Sequence, residues 1–195
     1  MSLVDLIARA DERGLAASGL ACLDRCVPLL GGDDEILRPL WGNLTDASDA
    51  ADWGGLLEQI RGKLGVGGDL AGEDGEGDGG GGDEAVLLAR RMLAAAPAER
   101  TAAQLRAWAD ACSVASLRIH RLLDPADDPA PLDSRRAGST EDMPPLAAAE
   151  LRRQVTVLEV LAGHGAGGLR RALEVSVEGR RVLRAVVSRR ARGRG

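Results

Sequence analysis

TAAQLRAWADACSVASLRIHRLLD, residues 101–124, is the stretch that decides the fold class. Thr101 stands three residues before Gln104, the spacing of a capping box, in which a hydroxyl accepts from a first-turn N–H. Leu105, Trp108, Ala109, Cys112, Ala115, Ile119, Leu122 and Leu123 then share one arc of a 3.6-residue wheel, and Asp124-Pro125 ends the run. This is an amphipathic helix with a start, a buried stripe and a stop.

Working outward, the same period recurs on both sides. Asp83 opens a helix through about Ala95, and Pro97 closes it. Trp53, Leu56, Leu57, Ile60 and Leu64 form a single apolar face, with Asp46, Ser48 and Asp49 before it as caps. Asp33 or Asp34 caps a short helix carrying Ile36, Leu37, Leu40, Trp41 and Leu44. At the N-terminus, Ser2 and Asp5 stand at capping distance, and Leu3, Leu6, Ile7 and Ala10 start a pattern that Gly14 interrupts. Leu20, Leu23, Val27 and Leu30 resume it, so residues 2–30 are either a kinked helix or a tight helical hairpin, stopped by Gly31-Gly32. Downstream, Leu151, Val155, Leu158 and Leu161 mark a helix over residues 146–162 that is apolar on two sides. The last segment, 169–190, favours helix on its Arg, Ala, Leu and Glu content. A β-hairpin turning at Glu178-Gly179 is the alternative.

Two stretches interrupt the helices. Residues 65–82 hold ten Gly and five acids with no base, which predicts a flexible acidic linker. Residues 124–145 hold five prolines and several Asp, which predicts a second extended linker. The expected organisation is an N-terminal helical segment 1–64, the linker 65–82 and a central helical hairpin 83–123. The linker 124–145, a C-terminal segment 146–190 packing on the rest and a basic tail 191–195 complete it. The fold class is all-α, a bundle of about six or seven helices with two long flexible linkers.

Composition agrees with that class. Hydrophobic residues make up 45% of the 195, enough for a core, yet there is no Phe and no Tyr. Leu, Ala and Val must fill the interior around Trp41, Trp53 and Trp108, and Ala and Leu are the strongest apolar helix formers. Lys63 is the one lysine among 25 basic residues, a bias that suggests a very GC-rich, actinobacteria-like genome. The first residues lack a signal-peptide pattern and no stretch suits a membrane span, so the expected location is cytoplasmic. There the three cysteines would be reduced thiols.

The chemistry-bearing residues are few. Cys22 and Cys26, four apart, share a helix face, but no second ligand pair accompanies them, so a metal is not expected. Cys112 lies on the apolar arc as a small hydrophobe. His120 falls at the rim of that arc, which suits a half-exposed position, and His164 lies in the glycine-rich turn 163–168. Neither is paired with a nucleophile in a catalytic motif. The turn 163–168, followed by Arg170 and Arg171, lacks the ending and the preceding strand of a phosphate loop. No catalytic, metal or cofactor residue is nominated.

One asymmetry remains. Residues 170–195 carry nine Arg and two Glu, whereas the whole chain is at −5. Arg180, Arg181, Arg184, Arg189, Arg190, Arg192 and Arg194 are therefore the candidate contacts for an acidic partner or for nucleic acid, which the acidic linker would mask. No aromatic is interleaved for base stacking, which disfavours nucleic acid. The expected function is a non-enzymatic interaction or regulatory protein, engaging a protein partner or a second copy of itself. A nucleic-acid-associated protein is the first alternative. A small-molecule binder or enzyme near His120, His164 and Cys112 is the second. No membrane partner is expected.

Overall fold

The computed structural model describes residues 1–45, 52–66 and 81–193, and among these the only regular elements are helical. They are α1 (Leu3–Arg9), α2 (Glu12–Leu30), α3 (Arg38–Thr45), α4 (Trp53–Lys63), α5 (Gly81–Ala94), α6 (Ala102–Leu123), α7 (Leu132–Arg136), α8 (Pro145–His164) and α9 (Leu169–Gly193). A 3₁₀ turn over Gly165–Gly168 joins the last two. The protein is an all-α bundle. Most of the acidic linker, residues 67–80, lies outside the described residues, and so do the caps Asp46, Ser48 and Asp49 and the end of the tail at Arg194.

α2 is the axis. Every residue from Gly14 to Val27 is buried, Asp24 and Arg25 included, because α5, α6, α8 and α9 pack around it. A helix covered on all sides has no polar face to give to water, which is why this one is mostly Ala, Leu and Cys. Its start differs from expectation. The chain breaks at Ala10–Asp11, where the Asp11 carboxylate accepts from Gly14 N–H at 2.7 Å, so Gly14 belongs to the first turn of α2. At the far end Gly31 adopts the left-handed conformation (φ 71°) that closes the helix. The Ser2–Asp5 capping box forms as its spacing predicts.

Close packing needs small residues. A Cβ on Gly19 would lie 2.6 Å from the Trp108 ring, so only glycine lets α2 approach α6 here. The Trp108 ring is held in turn: its N–H donates to Met92 O at 2.9 Å and its edge meets Trp53, centroids 6.3 Å apart at 74°. Trp53 donates to Pro97 O at 2.9 Å, which anchors α4 to the α5–α6 connection.

The C-terminal segment is the favoured helix, without the alternative hairpin, and Gly179 sits in its interior against Arg25. Two sequence expectations change. The Pro/Asp-rich stretch 124–145 is ordered and contains α7. Its prolines occupy places helices tolerate, Pro131 before α7 and Pro144-Pro145 at the start of α8. Guanidinium groups take up its free carbonyls: Arg135 donates to Ser139 O (3.0 Å) and Glu141 O (2.6 Å) while gripping Asp128, and Arg121 donates to Ala130 O (3.1 Å). Asp124 receives N–H bonds from Ala126 (3.1 Å) and Leu146 (2.7 Å), so it caps α8 across the connection. Finally, His120 is fully buried, because α8 covers the flank of α6 that carries it.

Candidate functional site

The most concentrated chemistry lies where α2, α6, α8 and α9 meet. Arg25 reaches Glu150 in a two-pronged bridge, Nε to Oε2 and Nη2 to Oε1, both at 2.7 Å, with both side chains completely buried. Glu150 Oε1 also accepts from Ser116 Oγ (2.7 Å) and from Gln154 Nε2 (2.8 Å). Gln154 Oε1 accepts from Ser113 Oγ (2.7 Å), and Ser113 Oγ accepts from Arg136 Nε (3.1 Å). A second buried pair adjoins the first: Arg180 of α9 donates to Asp24 Oδ1 at 2.6 Å. Bonds through the ionised carboxylate are charge-assisted, and the fork geometry suits arginine rather than lysine.

The electrostatics follow from burial set against pairing. Burial alone would raise the Glu150 carboxyl, but Arg25 and then His120 beside it hold it down at about 2. Burial would lower the Arg25 guanidinium, yet Glu150 more than offsets this and raises it. Glu150 and Arg25 are therefore both charged at any ordinary pH. Asp24 goes the other way: burial raises it to about 6 despite Arg180 and Arg25.

His120 Nδ1 lies 2.7 Å from Ser116 O. A carbonyl only accepts, so the proton sits on Nδ1 and Nε2 carries a lone pair. That Nε2 has no hydrogen-bond partner and lies 3.6 Å from Glu150 Oε2. Burial lowers the His120 pKa, partly offset by Glu150, so the ring is neutral at neutral pH. The three thiols are buried and free, and burial pushes each of them up, Cys22 to about 12, so none is a thiolate near neutrality. Arg25 lies close to Cys22, with Nη2 3.4 Å from its sulfur. No group of His, Cys, Asp and Glu among the described residues has the arrangement of a metal site. The network is sealed in side chains and holds the bundle in register.

Of the residues singled out from sequence, His120 and Arg180 belong to this cluster, Cys112 is buried in the core, and the others lie elsewhere. His164 is exposed at the end of α8, its Nδ1 3.2 Å from Val160 O. Of the arginines, Arg180 is only 5% exposed and joined to Asp24, and Arg184 reaches Asp34 from a half-exposed position. Arg181, Arg189 and Arg192 are exposed and Arg190 is half-buried. Arg189 and Arg190 border a groove of about 390 Å³ between the end of α6, the start of α8 and α9. Its walls are mainly apolar: Leu123, Pro125, Leu146, Ala149, Val182 and Val186. Next to it a cavity of about 790 Å³ shares Asp124 and Arg190 and adds Arg118, Arg121 and Asp127.

Sequence reasoning passed over Arg25, Asp24, Glu150, Gln154, Ser113 and Ser116. A signal existed on α8, where Ala147, Glu150, Leu151, Gln154, Leu158 and Leu161 form one stripe at helical spacing. Two polar residues on such a stripe are buried with partners or they break the helix's packing.

Comparison with protein-family models, with curated proteins and with solved structures yields no match. Among the described residues, no helix is long and apolar enough to cross a membrane.

Proposed function

We propose that this chain is a non-enzymatic interaction module, with the groove between α6, α8 and α9 as its contact surface. The observation that carries the reading is the division of chemistry in the bundle. Glu150, His120 and the three thiols are buried inside the bundle, whereas the groove between α6, α8 and α9 is open, mainly apolar and rimmed by arginines. Catalysis needs reactive groups that face a substrate-sized opening. Recognition needs an apolar trough with a polar rim.

The experiment is capture of partners from a lysate of the source cells, with the tagged full chain, with its Val182→Asp/Val186→Asp variant, and with nuclease added. Retention of the same protein by the parent chain after nuclease, and its loss with the variant, supports the reading. Retention abolished by nuclease overturns it in favour of nucleic acid.

A further inference from the structure

We infer that the groove receives an acidic amphipathic helix of a partner protein, an inference that rests on the reading just given and adds the partner's chemistry. Three observations select it.

The first is charge. Several arginines of the bundle meet carboxylates: Arg25 meets Glu150, Arg135 meets Asp128, Arg136 meets Asp110, Arg180 meets Asp24 and Arg118 meets Glu84, while others, such as Arg106, Arg152 and Arg181, meet none among the described residues. Arg189, Arg190 and Arg192 have no carboxylate partner among the described residues, and the first two border the groove. Among the described residues the one carboxylate on the groove's wall, Asp124, is already occupied by the N–H groups of Ala126 and Leu146.

The second is shape. α9 runs 25 residues and α8 runs 20, and the two are joined by a short turn. At about 1.5 Å per residue the first 20 residues of α9 match the length of α8, so Arg189 and Arg190 stand level with the start of α8 at the end of the apolar trough, and Arg192 lies beyond it.

The third is the backbone. Along α8 and α9 the walls are helix flanks, whose N–H and C=O groups bond within the helix. At the mouth of α8, Pro145 has no N–H and the Leu146 N–H is given to Asp124. These flanks offer an extended peptide no strand edge to pair its backbone with, so the occupant that suits them satisfies its own, as a helix does. Apolar side chains on one face of it would lie on Leu146, Val182 and Val186. Carboxylates on the adjacent face would meet Arg189 and Arg190 as forked pairs.

The test uses fluorescein-labelled designed amphipathic helices with a common leucine face, one with a glutamate polar face and one with a lysine polar face, titrated with the full chain by anisotropy. A labelled random-sequence DNA duplex serves as a third probe. The glutamate helix should bind best and weaken as salt rises, because rim charges are screened. Arg189→Glu/Arg190→Glu and, separately, Val186→Asp should each weaken it by about tenfold or more, the size of effect expected where a few contacts dominate. Unchanged melting of both variants would show that the bundle is intact. Binding of the lysine helix or the duplex as tight as that of the glutamate helix overturns the inference. So does failure of the glutamate helix to bind, or its indifference to both variants. In each of those cases the capture experiment still decides separately whether the chain is an interaction module.

Discussion

Replacing Glu150 with glutamine tests the account of the bundle's interior most directly. The swap keeps the shape and removes one charge. Arg25, fully buried, would keep its own charge with no counterion at bonding distance, and one of its two 2.7 Å prongs would face an amide NH₂, donor against donor. Ser116 and Gln154, which also donate to Glu150, would lose a charged acceptor. Breaking a buried ion pair from one side costs about 3–5 kcal/mol, a large part of the 5–15 kcal/mol that holds a typical domain. For a chain of this size, that is a drop in melting temperature of roughly 10 °C. The double variant Arg25→Met/Glu150→Leu removes both charges and keeps similar volume, so it should recover more than half of the loss. Urea unfolding followed by circular dichroism on the parent, Arg25→Met, Glu150→Leu and the double completes the cycle. If Glu150→Gln unfolds within about 1 kcal/mol of the parent, the bridge does not hold α2 to α8, and the reasoning fails.

Further expectations concern glycine packing, acid sensitivity and thiol reactivity. At position 179 a Cβ would lie 2.4 Å from Arg25 Cδ, so Gly179→Ala should destabilise by about 1–3 kcal/mol, whereas Gly62→Ala meets nothing and should gain up to about 1 kcal/mol. Equal effects of the two in thermal melts would contradict the packing described. His120 is held neutral below its ordinary value by burial, so below about pH 6.5 the unfolded chain binds a proton that the native chain refuses, and stability falls with pH. Asp24, raised to about 6, has the opposite sign: the native form binds the extra proton as pH drops through 6, so the two partly cancel in the parent. His120→Gln removes only the first effect, and its stability relative to the parent should rise from pH 7 to pH 5 by up to about 2 kcal/mol; a constant difference would refute a buried neutral ring. Cys22, Cys26 and Cys112 should react with a thiol reagent no faster than the bundle opens; a thiol modified within seconds in the native protein would refute their placement.

How far the sequence could be read depends on how many neighbours each helix has. α6 shows the limit well. Its cap and length follow from Thr101 and Asp124, and Leu105, Trp108, Ala109, Cys112, Ile119 and Leu123 are buried as the arc requires. Yet Ala115 and Leu122 are only half-buried, while Ser113, Ser116, Leu117 and His120 are buried. One helix packing on one neighbour gives a single apolar stripe. α6 packs on α2 and α5 and also on α8, which widens its buried arc to roughly half the circumference. The added flank is polar, and it points at Glu150. The same effect hid Arg25 on α2: a charge in an otherwise apolar helix reads as the solvent face until four neighbours turn out to surround it. The order within residues 124–145 was hidden for another reason. Proline and aspartate are loop formers by local preference, and only the distant guanidinium of Arg121 and the nearer one of Arg135 supply what their carbonyls need. The helical reading of residues 169–190 rested on Arg, Ala, Leu and Glu, and those residues form α9.

The central position of α2 has a consequence for how the chain is made. Arg25 waits for a residue 125 positions later and Asp24 for one 156 positions later. At about 5–20 residues per second, a ribosome leaves Asp24 without its partner, and α2 without α9, for roughly 8–30 s. Through that interval a mostly apolar helix with two unpartnered charges keeps the faces that α8 and α9 will cover open to whatever else is nearby, and the bundle closes only as α9 emerges. Trigger-type holding chaperones, slow codons upstream of the α8 coding region, or a cold growth temperature should therefore change the yield of soluble protein more than any substitution on the outer faces of α4 or α7.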